Sequence, residues 1–300
     1  MPNSITTANI TEFQSNVAML LQQTDSRLAG AVTSYALKGE AAEVLEQFGQ
    51  TTAVTGLGRH ADTPILDVPQ DRRWCYPTDV DWGTMVDKQD LLRLIIDPKS
   101  QMTSAGVAAL QRAKDDIIAQ AMFGTAKTGK TGSTNTAFLS GNIVANTVGG
   151  GGSAVGLNMA KLREARRLLR KAEIDFEGGT VYAALSADKE NELFGEATVV
   201  NGDFNAGNAP IIANGRLAGI LGIQFIHSER FLGGDQSQFT GSGYEIPVWD
   251  KSGVGLGIWN DVNVNVAEVP TKRFNWQVYM GMTLGATRTE EKRVIKILAA

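Results

Sequence analysis

Asp97-Pro98 is followed by the longest helical period in the chain, and this stretch most limits what the fold can be. Ser100 or Thr103 supplies a cap, and Val107, Leu110, Ala113, Ile117, Ala121 and Met122 return to one side every three or four residues. Arg112, Lys114, Asp115 and Asp116 fall mostly off that stripe, and Gly124 is placed to stop the helix. A helix of roughly 20–24 residues is a rod of about 30–36 Å. Helices in compact domains average about 11–12 residues, so the expected subunit is elongated, with this helix as its spine.

The segments before the helix cannot complete a core of their own. Phe13, Val17, Leu20, Leu21 and Leu28 recur at helical spacing behind Thr11, and Ala41, Val44, Leu45 and Phe48 suggest a second short helix stopped by Gly49. Two short amphipathic helices do not bury their stripes on each other alone. From residue 58 to 96 the character changes. Pro64, Pro69 and Pro77 punctuate Ile65, Val68, Trp74, Tyr76, Val80 and Trp82, which predicts a long two-stranded excursion. Such a ribbon is marginal by itself in water. Arm and ribbon both need the body of this chain or a neighbouring copy.

Beyond the long helix, residues 124–156 are rich in Gly, Thr, Ser and Asn, with Gly149 to Gly152 consecutive, and read as loop or hairpin. A helix is expected from about Asn158 to Ala172, with Met159, Leu162, Ala165, Leu168 and Leu169 inward. Val181 to Leu185 reads as a buried strand, Asp188 to Gly195 as a short helix capped by Ser186 or Asp188, and Gly219 to Ile226 as another strand. At the C-terminal end Val262, Val264 and Val266 alternate with Asn263 and Asn265, predicting a half-buried strand. Trp276 to Thr289 and Val294 to Leu298 read as two more. No regular βαβ alternation exists, so the class is α+β rather than a parallel nucleotide-binding sheet.

Three hundred residues with 43% apolar and 20% charged side chains can bury a sizeable core, which excludes a disordered chain. The formal net charge of −4 lacks the basic surplus of a protein that grips nucleic acid sequence-specifically. Cys75, the only cysteine, excludes an intrachain disulfide or a thiolate cluster and is expected as a half-buried structural thiol. The opening MPNSITTANI has no basic start or apolar signal core, and no apolar run reaches bilayer length. The expectation is a soluble protein made in the cytoplasm, without membrane contact.

Several motifs imitate chemistry. Gly124-Thr125-Ala126-Lys127-Thr128-Gly129-Lys130-Thr131 matches a phosphate loop in letters. A real one links a strand to a helix N-terminus, whereas here the end of a long helix points at the loop, so a flexible turn is favoured over a nucleotide hydrolase using Lys130. Gly56-Leu57-Gly58-Arg59-His60-Ala61 imitates a dinucleotide fingerprint, but Pro64 leaves no room for the required helix. His60 and His227 lack metal-ligand spacing, no Gly-x-Ser-x-Gly elbow exists for a Ser–His pairing, and Asp79 with Asp81 reads as a solvated turn. Residues 161–171 carry six basic side chains. Their functional readings are packaged DNA or an acidic neighbour, against a default of a solvated face whose last cations complement the helix dipole.

A set of short blocks occurs in order along the chain: Arg72-Arg73-Trp74 before Asp81-Trp82, Leu94 to Ser100, Arg112 to Asp116, Lys161 to Ala165, Phe225 to Arg230, and Gly285 to Lys292. Together, over about residues 58–298, they resemble the tailed-bacteriophage major capsid proteins with the Hong Kong 97-type fold. The resemblance implies an α+β subunit with an N-terminal arm (1–57), an extended β-hairpin loop (58–96), a peripheral domain holding the long spine helix (97–155 and 253–300) and an axial domain (156–252). It implies no catalytic residue, cofactor or metal. It implies hexamers and pentamers in an icosahedral virion shell around double-stranded DNA, with non-specific proximity to that DNA, assembled in the host bacterial cytoplasm. A separate scaffolding protein, a portal and a decoration protein are the expected partners, since the arm is too short for a fused scaffold. Arg72, Arg73, Trp74, Tyr76 and Trp82 are the expected intersubunit contacts, because aromatics and Arg concentrate at interface hot spots. An encapsulin-like compartment and a ring-forming tail or head-completion protein are the structural alternatives.

Overall fold

A computed structural model describes residues 22–40, 42–56, 58–86, 99–176, 178, 180–196, 212–213, 216–217, 219–231 and 244–300. The expected helix behind Thr11 lies outside the described residues. In chain order the strands are β1 (Thr33–Ala36), β2 (Ala42–Phe48), β3 (Gln70–Cys75), β4 (Thr78–Val86), β5 (Ala126–Thr128), β6 (Thr134–Thr136), β7 (Ile143–Val144) and β8 (Val181–Leu185). They continue with β9 (Ile212–Ala213), β10 (Arg216–Leu217), β11 (Ile223–His227), β12 (Tyr244–Asp250), β13 (Val254–Val269), β14 (Asn275–Arg288) and β15 (Val294–Ala299). The described helices are α1 (Lys99–Phe123), α2 (Met159–Lys171) and α3 (Ala187–Phe194). The class is α+β.

The chain forms two compact units, residues 1–25, 80–112 and 262–282 in the first and 26–79, 113–261 and 283–300 in the second. The boundary falls inside β4, α1, β13 and β14. In the first unit Val278, Met280 and Met282 of β14 are buried, with Val86, Ala108 and Leu110. Gly106 explains how α1 lies so close to the strands: a Cβ there would stand 2.5 Å from the Trp82 ring and 2.9 Å from the Met280 sulfur.

The second unit is built on a five-stranded sheet in the order β11-β8-β12-β15-β7. β8 runs parallel to β11 and antiparallel to β12, which runs antiparallel to β15. α2 covers this sheet with Leu162, Ala165 and Leu169, all fully buried against Val181, Val248, Ile295 and Ile297. Each such leucine contributes about 2 kcal/mol of burial. Asn158 caps α2, its side chain accepting from the Lys161 N–H at 2.9 Å, and Ser186 caps α3 through the Lys189 N–H.

Three expectations fail here for physical reasons. The segment from Ala41 to Phe48 is expected as helix, but Ala42–Phe48 is a strand paired antiparallel with β3. A bulge between Glu43 and Leu45 shifts the alternation by one residue, which is why the spacing imitates a helix in the sequence. Strands β3 and β4 do not form a two-stranded ribbon with each other. β3 lies between β2 and β5, and β4 lies beside β14, with Pro77 at the break. The Val262–Val266 alternation is present, but Val264 and Val266 are 41% and 40% exposed, so both faces of this end of β13 meet solvent within one chain. A smaller difference is that β11 begins only at Ile223, because Leu221 and Gly222 both adopt positive φ in a tight turn closed by Ile220 and Ile223.

The long helix is there, 25 residues from Lys99 to Phe123, a rod of about 37 Å. Its buried face differs from the apolar stripe. Lys114 and Asp115 are buried, at 7% and 0% exposure, and not off the face. The Asp115 carboxylate accepts from the Ser26 hydroxyl (2.6 Å), the Arg27 N–H (3.0 Å) and the Leu28 N–H (3.2 Å), and so ties residues 26–28 to the long helix. Asp116 pairs in bidentate fashion with Arg230. The charged block within the helix is a clamp for two other segments, which a period-based reading of one helix has no means to show.

Candidate intersubunit surface

The pairing of β2 with β3 closes a long excursion. Phe48 stands opposite Gln70, the Gly49 N–H donates to the Pro69 carbonyl at 2.6 Å, and the described residues between them have no regular structure and are exposed throughout. Ile65 is 96% exposed, Val54 and Leu66 46% each. Several apolar groups held in solvent on one segment make it the candidate surface for contact with another molecule.

The base of this excursion is locked by charge. Arg73, at 5% exposure, donates through both terminal nitrogens to Glu291 at 2.8 and 2.7 Å, and through Nε to the Gln47 side chain at 3.1 Å. Glu291 also lies 3.9 Å from Nε of Arg288, a fully buried guanidinium whose Nε has no hydrogen-bond partner. Arg288 donates its other N–H groups to the carbonyls of Met122 and Gly124 at the end of α1 and of Thr136 in β6. Burial, first, and the charge of Arg73 weaken the hold of Arg288 on its proton, against the pull of Glu291. One carboxylate thus serves two buried guanidiniums, joining β3 to the end of the long helix.

The five expected contact residues separate. Arg72 points outward, its side chain 40% exposed, and pairs with Glu46 across the strands at 3.2 Å. Arg73 is engaged within its own chain. Trp74 donates Nε1–H to the Gly129 carbonyl at 2.7 Å, and Tyr76, 44% exposed, flanks the same turn. Both rings close over Gly132, where a Cβ would stand 2.6 Å from the Tyr76 hydroxyl and 2.9 Å from Trp74 Cγ; its φ of +70° also favours glycine. Trp82 belongs to the first compact unit, against Gly106.

The chemical look-alikes dissolve into structure. The phosphate-loop letters fall on the end of α1, strand β5 and the turn to β6. The Gly129 N–H that would cradle a phosphate donates instead to the Asp71 carboxylate at 3.0 Å. Asp79 and Asp81 are not on a turn but on β4, accepting from Thr283 (2.7 Å) and Tyr279 (2.6 Å). His227 lies 3.3 Å from Glu229. Cys75 is buried, which pushes its thiol up to about 11. Asp250 is pushed up by burial, but hydrogen bonds from Ser252, Thr180 and Arg293 outweigh this and hold its carboxyl below the ordinary range. Among the described residues no group of three or more His, Cys, Asp or Glu is placed to hold a metal ion, and no helix is long and apolar enough to cross a membrane.

Two features of this region escape the sequence reading. Lys161, the first cation of the basic helix, is fully buried and donates to the carbonyls of Val155 (2.6 Å), Gly156 (2.9 Å) and Leu298 (3.0 Å). Glu291 lies in the Gly285–Lys292 block and carries no expectation of its own. A hint existed in each case: a lysine directly after an N-cap and an apolar turn, and a Glu three residues from an Arg between two strands.

Comparison with known proteins bears on the whole arrangement. The sequence matches the family described as phage capsid protein over residues 5–300. The chain therefore belongs to the phage capsid protein family, and its function is that of a capsid shell protein, a component of the virion. Its fold is similar to the capsid of the cyanophage P-SCSP1u, with TM-score 0.75 and 18% identity over 100% of this chain and 95% of that one. It is also similar to the mature capsid of bacteriophage PhiM1 (TM-score 0.68, 15% identity, 96% and 91% covered). A third similar fold is the capsid of a native GTA particle (TM-score 0.66, 11% identity, 100% of both chains). These solved structures place the fold among Hong Kong 97-type capsids. No curated protein sequence matches the chain.

Proposed function

We propose that copies of this chain form hexamers and pentamers that close into an icosahedral shell around double-stranded DNA, as a structural subunit without chemistry of its own. The observation that carries this reading is the exposed excursion between Phe48 and Gln70. Ile65, Leu66, Val68 and Val54 are presented to solvent on a segment with no core of its own. Burying one fully exposed side chain of this kind on a neighbour contributes roughly 1.5–3 kcal/mol, and a closed shell repeats the contact at every subunit boundary. Tyr76 and Arg72, at the exposed side of the same hairpin, take part in that contact, with Trp74 and Arg73 holding its base. Trp82 contributes from the first compact unit. A separate scaffolding protein, a portal and a decoration protein complete the particle.

Replacing residues 50–68 by a short Gly-Ser turn tests the reading. The β2–β3 pair and the rest of the subunit remain, so soluble, folded subunits that form no closed particles by negative-stain microscopy are expected. Particles of normal size and yield from this variant overturn it.

A further inference from the structure

Helix α2 turns its apolar side to the five-stranded sheet and a dense row of cations outward. At about 100° per residue, Arg163, Arg166, Arg167, Arg170 and Lys171 fall within an arc of about 140°. Arg163, Arg167, Arg170 and Lys171 are exposed and Arg166 is half-buried. Arg167 is neutralised by Glu164 at 2.6 Å, whereas Arg163, Arg166, Arg170 and Lys171 have no carboxylate partner among the described residues. The guanidiniums of Arg166 and Arg170 both lie over the Phe176 ring, 5.4 and 5.8 Å from its centroid. This stacking holds two of the charges in place before any ligand arrives, which lowers the entropy lost on binding.

Such a row attracts an anion, and the surroundings decide which kind. The outward face of α2 shows no large apolar side chain, so the desolvated apolar centre of a protein interface is missing. A second copy of the chain is a poor partner too. Lys171 borders a groove that contains Phe48 and four carboxylates, but Glu46 is paired with Arg72, Asp71 accepts from the Gly129 N–H, and Glu290 is paired with Arg293 at 2.7 Å, which leaves Glu173 alone to offset the row. From Arg163 to Arg170 the row covers about 10 Å, a length over which duplex DNA presents about six backbone charges. We infer that the outward face of α2 is a sequence-independent contact surface for the phosphate backbone of the enclosed DNA, an assignment that rests on the shell reading above. The overall charge of −4 conceals it, because the acids that balance it lie elsewhere in the chain.

The test compares the full-length chain with the variant R163Q/R166Q/R170Q/K171Q. All four changes are on the surface and keep good helix formers. Anisotropy of a labelled random-sequence duplex is followed as salt is raised, with poly-glutamate as a second probe, and shells are scored by negative stain. The variant is expected to bind duplex at least about tenfold more weakly at low salt. Its log–log salt slope is expected to be shallower by about 3–4, while shells still form. An unchanged slope overturns the inference, as does wild-type protein that prefers poly-glutamate to duplex. Loss of shells with an unchanged slope reassigns the row to subunit contact and leaves the shell reading intact. Failure of the wild type to form shells counts against that reading instead.

Discussion

Glu291 is the residue whose loss should cost most per atom changed. Its carboxylate is 16% exposed and balances Arg73, 6% exposed at the side chain, and the fully buried Arg288. E291Q keeps the shape and removes the charge, leaving the buried Arg288 without its carboxylate and Arg73 with only Asp71 at 3.9 Å. Breaking a buried pair from one side costs about 3–5 kcal/mol. R73M should cost less, about 2–3 kcal/mol, because Arg288 remains at 3.9 Å and the carboxylate retains some access to water. The double variant R73M/E291Q separates charge balance from simple packing. Once that carboxylate is neutral, removing Arg73 takes away a buried cation whose remaining acid, Asp71, is 3.9 Å away, so the double variant should be no less stable than E291Q alone. Urea unfolding of the purified full chain measures all three, and in a chain of this size each kcal/mol moves the thermal midpoint by about 2 °C. Amide exchange in β2 and β3 should speed up in parallel, since this network holds the base of the exposed excursion. Costs for the two single changes that simply add in the double variant would refute the argument.

Asp115→Ala removes the acceptor for three donors of residues 26–28 and should cost about 2–4 kcal/mol, read as roughly thirtyfold or faster proteolytic cutting near residue 26; Asp115→Asn, which keeps one acceptor, should fall between. Gly285→Ala places a Cβ 2.2 Å from the Tyr76 carbonyl and 2.8 Å from the Cys75 sulfur, and should lower the yield of soluble protein through a loss of about 3 kcal/mol or more. Burial, reinforced by Lys189 and opposed by Glu192, lowers the Lys161 ammonium below its ordinary 10.5. Between the lowered folded value and the unfolded one the unfolded chain binds more protons, so this group makes the protein gain stability as pH rises through that window. Lys161→Met abolishes the titration, and the difference in unfolding midpoint between the two proteins should therefore change in favour of wild type as pH rises toward 10.5, which denaturation at a series of pH values will show.

Periodicity in the sequence made α1, α2 and α3 legible, with the cap Ser186 and the stop at Gly124, because these depend on local backbone hydrogen bonds and on spacing within one segment. The α+β class and the capsid family were legible for the same reason: the order of elements is written in the chain. Which strand joins which sheet was not. Ala42–Phe48 is a strand because β3 supplies its ladder, and its bulge erased the alternation that would have announced it. Arg73 and Trp74 are neighbours in sequence, yet one is held by Glu291, more than two hundred residues away, and the other by the Gly129 turn. A charged side chain declares its charge in the sequence, but whether it is buried and hydrogen-bonded, like Asp115 and Lys161, or turned outward with no carboxylate partner among the described residues, like Arg163 and Arg170, depends on groups that only folding brings within about 3 Å.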